Sequence, residues 1–224
     1  MARAYRSPRR EADAASTRAA IIAAGEKLFV RDGYAATSLR AIADEAQVSL
    51  PTVQQQGGKH SLLIVAFEVA FAGDEGAHSL ADRPSMAAIM SEPVFETAVR
   101  RYVEFLGAAN QRAAGIVKAM SAAADADTAV RAAYDELEQR RHRDMTIAAH
   151  WFAGRGRIPE SSVAAAADVL SYVTGADAYL HFTRSRGWSP QQWSNWTSRQ
   201  LLTLAEQLPD PAPAPAPYPA PASK

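Results

Sequence analysis

With no cysteine among its 224 residues, the chain excludes a disulfide framework, a thiolate metal site and a cysteine nucleophile together. Its 24 basic and 24 acidic side chains balance, which excludes a uniformly basic nucleic-acid coat, although residues 1–60 keep nine Lys/Arg against six Asp/Glu. Abundant alanine and few alternating β-branched runs point to an all-α protein, long enough for a small N-terminal module and a larger helical domain.

Residues 1–14, with Arg3, Arg6, Arg9 and Arg10, read as a flexible basic arm. No apolar run of the secretory kind follows it, and Glu68 interrupts the longest apolar stretch, LLIVAFEVAFAG. A cytoplasmic protein without a membrane segment is expected. From Ser16 or Thr17 to Asp32, Ile21, Gly25, Leu28 and Phe29 recur at helical spacing, and Gly33 supplies the stop. Thr37 is expected to cap a short helix with Leu39, Ile42, Ala43 and Ala46 inside and Arg40 outside.

After a turn at Gln47 and Val48, Ser49 caps a third helix that tolerates Pro51 in its first turn and ends at Gly57-Gly58. Val53 should face inward beside Ile42 and Val48, which leaves Leu50, Pro51, Thr52, Gln54 and Gln55 outward. A fourth helix runs from Lys59 to about Gly73, with Leu62, Leu63, Ala66, Phe67 and Ala70 on one side. Helices are then expected at about 84–91, 94–111, 113–124, 127–153, 160–186 and 190–207. The last starts on Ser189-Pro190-Gln191-Gln192, a cap, a first-turn proline and a capping-box glutamine. These elements divide the chain into the arm, a head at 15–74, a helical body at 75–207 and a disordered Pro-Ala tail at 208–224.

Two short helices joined by a tight turn, behind a longer supporting helix, form the geometry that lays one helix end in a major groove of double-stranded DNA. Thr37, Ser38 and Lys59 offer hydroxyl, N–H and ammonium groups to phosphates, which position a protein without specifying sequence. Gln54 and Gln55 carry the donor and acceptor that match adenine N7 and N6, and Leu50 or Thr52 suits a thymine methyl. A bland polar helix face is the competing reading, and it leaves a helical small-molecule or partner-binding protein without specific DNA recognition.

The body is rich in large residues (Tyr102, Phe105, Met120, Tyr134, Trp151, Tyr172, Tyr179 and Phe182), most of them core. His150, Tyr172 and Tyr179 are the candidate contacts for a small ligand held between helices. The small-residue run VAAAADVL at 163–170, followed by Gly175 and Ala176, suits close helix approach in a homodimer interface. His60, His78, His142, His150 and His181 show no metal-ligand pairing beyond the loose step from 142 to 150, so no metal is expected. In EQRRHR, Glu136 with Arg140 and Glu138 with His142 read as a salt-bridged face. No Ser-His-Asp set or carboxylate pair converges, so neither an enzyme nor a cofactor is expected.

The segment TRAAIIAAGEKLFVRDGYAATSLRAIADEAQVSLPTV, residues 17–53, resembles the N-terminal domain of TetR-type transcriptional repressors, densely and without gaps. PTVQQQGGKHSLL, AGDEG and RGWSP resemble a subgroup of the same family. The resemblance implies a dimer, a helical C-terminal domain holding a small-molecule pocket, and release of operator DNA on ligand binding. It implies DNA contacts at Thr37, Ser38, Arg40, Ser49, Leu50, Pro51, Thr52, Gln54, Gln55 and Lys59. Two positions depart from the pattern: Gln54 stands where an aromatic is usual, and a Phe is missing between Gln56 and Gly57. Because that ring normally plugs the head's core, a re-set junction is expected, with Phe67 or Phe71 filling the gap.

Overall fold

The first helix, α1 (Pro8–Asp32), buries Ile21, Ile22, Ala24, Leu28 and Phe29 and stops where Gly33 turns to φ +83° and donates back to the Phe29 carbonyl. The structure, a computed structural model, describes residues 8–72 and 83–208. The start at Pro8, well before the expected Ser16 or Thr17, makes residues 8–14 of the expected arm helical. Residues 1–7 and the Pro-Ala tail from Pro209 lie outside the described residues.

Two seven-residue helices follow, α2 (Leu39–Glu45) and α3 (Leu50–Gln56). The turn between them places Gln47 at φ +56°, and the Val48 N–H returns to the Ala43 carbonyl. Gly57, at φ +128°, closes α3 in a conformation that costs a side-chain-bearing residue strain. Helix α4 (Lys59–Ala72) is apolar nearly all round, and such a helix has to be buried on more than one side. Leu62, Leu63, Ala66 and Phe67 join the head core, which continues without interruption into Ala113, Ile116 and Met120 of the body.

The body begins with α5 (Pro84–Met90), and two expected helices, 94–111 and 113–124, are one 30-residue helix, α6 (Phe95–Ala124). Arg112 carries no backbone break. Its guanidinium instead donates to the Ala70 and Phe71 carbonyls at 3.2 and 3.3 Å, satisfying orphan acceptors at the end of α4. Helix α7 (Thr128–Gly154) is capped by Asp127, whose carboxylate accepts from the Ala129 and Val130 N–H groups. Arg140 meets Glu136 at 3.5 Å as expected, whereas Glu138 pairs with Arg141 and not with His142.

The expected helix 160–186 is interrupted. A 3-10 turn at Glu160–Ser162 leads into α8 (Val163–Val173), then α9 (Ala176–Leu180) and a π turn at His181–Ser185. The Gly175 N–H turns back to Tyr172, so the Ser171 carbonyl accepts from Arg141 at 2.5 Å and the Thr174 carbonyl from Asn110 at 2.8 Å. A Cβ on Gly175 would lie 2.8 Å from the Ser171 carbonyl oxygen, so glycine permits the break. Helix α10 (Pro190–Leu202) starts on the capping box read from the sequence, and Thr203 separates it from α11 (Leu204–Gln207). Among the described residues every regular element is a helix, and none is long and apolar enough to cross a membrane.

Candidate nucleic-acid interface and the cavity behind it

Both short helices of the head are capped by serine. The Ser38 hydroxyl accepts from the Ala41 N–H at 3.1 Å, and that of Ser49 accepts from Thr52 at 3.3 Å. Ser38 is therefore the cap expected at Thr37. Thr37 itself is only 3% exposed and donates its hydroxyl to the Gly33 carbonyl at 2.8 Å, so its side chain closes the α1–α2 turn and is withdrawn from phosphate. Arg40 is exposed on α2, while Lys27 holds Glu45 at 2.5 Å, drawing that carboxylate toward α1.

On α3 Val53 is fully buried, which sets the rotation of the helix. Pro51, Gln54 and Gln55 are exposed at positions i, i+3 and i+4, one outward stripe. Leu50 and Thr52 flank it half-buried, with the Thr52 hydroxyl 2.7 Å from that of Ser49. Lys59 is anchored: its ammonium donates to the Tyr34 carbonyl at 3.0 Å and lies 4.1 Å from the centre of the Tyr34 ring. Two of its N–H bonds remain for an outside acceptor.

At the missing phenylalanine, Gln56 accepts from Arg18 of α1 at 2.9 Å, a polar tie where the family pattern has a ring. Phe67 is 3% exposed in the head core and stacks on Phe71 at 5.4 Å. Helix α4 starts at Lys59, so the ring enters the core without a shift of the helix start.

Tyr34 and Asp127, which sequence reasoning passed over, join head to body. The Tyr34 hydroxyl donates to Asp127 at 2.7 Å across the gap between the α1–α2 turn and the start of α7. This bond, aided by the Val130 N–H, holds the Asp127 carboxyl below its usual range, and burial followed by the same bond pushes the Tyr34 phenol up. A carboxylate with a depressed pKa stabilises fully above its unfolded pKa and loses that contribution as pH falls through the folded value. Tyr34→Phe is therefore expected to lower the urea midpoint at pH 7 and to cost progressively less as the pH falls through the folded value of Asp127. A loss that does not change with pH would contradict a role for the bond.

Behind the head lies a cavity of about 140 Å³ between α4, α6, α7 and the α8–α9 break. Phe67 and Phe71 form its wall on the head side, and Leu106, Val117, Leu137 and Met145 line it from α6 and α7. Of the three expected ligand contacts, Tyr172 lies at the rim, 73% exposed. Tyr179 is 5% exposed core, edge-on to Trp193 at 5.1 Å, and His150 lies on the outer face of α7, 3.0 Å from Glu160. Neither lines the cavity. The periodicity that marks an apolar face does not say whether a ring there meets a neighbour or a void. The small residues Ala166 and Ala167 are also turned inward, where they let α8 close on α7. Among the described residues no three His, Asp or Glu side chains gather to hold a metal ion.

Residues 21–55 match the family described as bacterial regulatory proteins, tetR family. No curated protein matches the chain. Among solved structures, that of a proposed transcriptional regulator from Pseudomonas aeruginosa PAO1 superposes with a TM-score of 0.66 at 18% identity, covering 84% of this chain and 90% of that one. That likeness concerns the fold, whereas the family match spans the second half of α1, α2, the turn and most of α3, the last of which presents the outward stripe. Over residues 21–55 the chain is similar to the tetR family of bacterial regulatory proteins, and its all-helical fold is similar to that of the Pseudomonas structure.

Proposed function

We propose that the chain acts as a homodimeric repressor in the cytoplasm, bound to a pseudo-palindromic operator and released when a small molecule enters the cavity. The observation that carries this reading is the double duty of α4. Its first residue, Lys59, grips Tyr34 in the head, and its Phe67 and Phe71 wall the cavity. A ligand that displaces those rings moves the helix on which the head rests. In a two-fold dimer the heads must meet successive major grooves about 34–36 Å apart, so a small tilt of α4 spoils the match. The contacts assigned to DNA are Ser38, Arg40, Ser49, Leu50, Pro51, Thr52, Gln54, Gln55 and the free N–H bonds of Lys59. With Ala166 and Ala167 turned inward, the dimer face is assigned to the outer sides of α8 and α10, where Tyr172 and Leu202 are exposed. The reading assigns no catalysis.

Fluorescence anisotropy on labelled duplexes from upstream of the chain's own gene, with a salt titration, tests it. Site preference with a steep salt slope is the expected result. Equal, weak binding to every duplex favours instead a helical binding protein whose head no longer reads sequence.

A further inference from the structure

On the reading that α3 is the element that meets DNA, the way this helix is held decides what it can read. It is seven residues long, and Val53 is its only buried side chain. Gly57, at φ +128°, leaves the helix, so α3 gains no support by running on into α4. A short helix held at one point can swing about it. Side chains three apart share a face, so Leu50, Val53 and Gln56 form the inward stripe, apolar at its first two positions and polar at the third.

The same change occurs on α1. Ile21, Ile22, Leu28 and Phe29 are buried in the head core, and Arg18, one turn before Ile22, continues their stripe as a half-buried guanidinium. The two polar ends meet: Arg18 Nη1 donates to Gln56 Oε1 at 2.9 Å, across 38 positions of chain. A hydrogen bond from a charged donor is among the stronger kinds, and unlike an apolar contact it fixes distance and angle together. With Val53 as the pivot and this bond as a second fixed point three residues further on, both the rotation and the tilt of α3 are set. Gln54 and Gln55 directly precede Gln56, so the stripe they present turns with it. A bidentate contact between glutamine and adenine tolerates little misplacement.

We propose that Arg18 is a positioning residue for DNA readout: it touches no base, and through Gln56 it holds α3 at the angle at which Gln54 and Gln55 meet base edges. Arg18→Ala, Gln56→Leu and the double variant test this on the full chain. Each single change is expected to lower the preference for the operator over a scrambled duplex about ten-fold, with affinity for the scrambled duplex and the salt slope unchanged. The double variant is expected to lose about ten-fold and not a hundred-fold, because both changes break the same bond. Arg18→Lys, which keeps a charged donor, is expected to retain the preference to within about three-fold. Without DNA, the α3 amides are expected to exchange about five-fold faster in both single variants, the weight of one hydrogen bond, while those of α4 stay as they are. Unchanged α3 exchange, or unchanged preference in Gln56→Leu, overturns the proposal. A loss on every duplex with a lower salt slope, in Arg18→Ala alone, overturns it in favour of a phosphate contact at Arg18. No preference among duplexes in the unaltered chain overturns the repressor reading instead, and the exchange measurement then decides by itself whether the bond holds α3.

Discussion

Phe67→Ala is expected to destabilise the protein by about 3–5 kcal/mol, the range for removing a fully buried aromatic ring. For a chain of this length that lowers the melting midpoint by roughly 6–20 °C. The ring is 3% exposed and stacks on Phe71, and it belongs to the core that joins Leu62, Leu63 and Ile42 of the head to Met120 of the body. With no phenylalanine at the α3–α4 junction, it is also the largest side chain that α4 gives to the head core. Phe67→Leu, which keeps most of the volume, should cost only about 1 kcal/mol. Calorimetry on the two variants reads the difference directly, and an unchanged midpoint for the alanine variant would show that the head does not depend on this ring.

The second large effect concerns discrimination between duplexes, and it rests on the proposed DNA contacts. Gln54→Ala and Gln55→Ala are each expected to reduce the preference for the operator over a scrambled duplex by about 1–3 kcal/mol, the worth of one bidentate base contact. Arg40→Ala should behave differently, weakening all duplexes alike and lowering the salt slope by about one, as loss of a phosphate contact does. Lys59→Ala should combine a similar loss with a lower melting midpoint, because the Tyr34 carbonyl and ring lose their ammonium. Anisotropy at several salt concentrations separates these patterns. The reverse pattern, a general loss at the glutamines and lost preference at Arg40, would mean that α3 approaches DNA through a different face than the one opposite Val53.

How far the site was legible depends on how local its causes are. Ser49 and Pro51 mark the start of α3, Gly33 ends α1 and Ser189 with Gln192 opens α10, because a cap or a left-handed glycine acts within three or four residues. The inward Val53 and outward Gln54 and Gln55 follow from helical spacing alone. The same spacing could not say whether Tyr179 or His150 meets the cavity, and neither lines it: spacing marks a position on a helix, and what lies opposite comes from another helix. Thr37 shows the limit at one residue, since a hydroxyl beside a helix start serves equally as a cap or as the lock on the preceding turn, and here Ser38 took the cap.

By itself, then, the amino-acid order determined the helical class, the helix-turn-helix head and the stripe that faces away from its core, all from interactions within a turn or two. Tertiary structure decided where the chain breaks and what is hollow. The α8–α9 break depends on Arg141 and Asn110, which lie 30 and 64 positions from the carbonyls they capture, and the head is tied to the body by Tyr34 and Asp127, 93 positions apart. The cavity exists only where α4, α6, α7, α8 and α9 fail to close on one another. Its wall was written in the sequence as plain core, because a phenylalanine against a void and one against a neighbour have the same periodicity. Only the positions of the other helices tell the two apart.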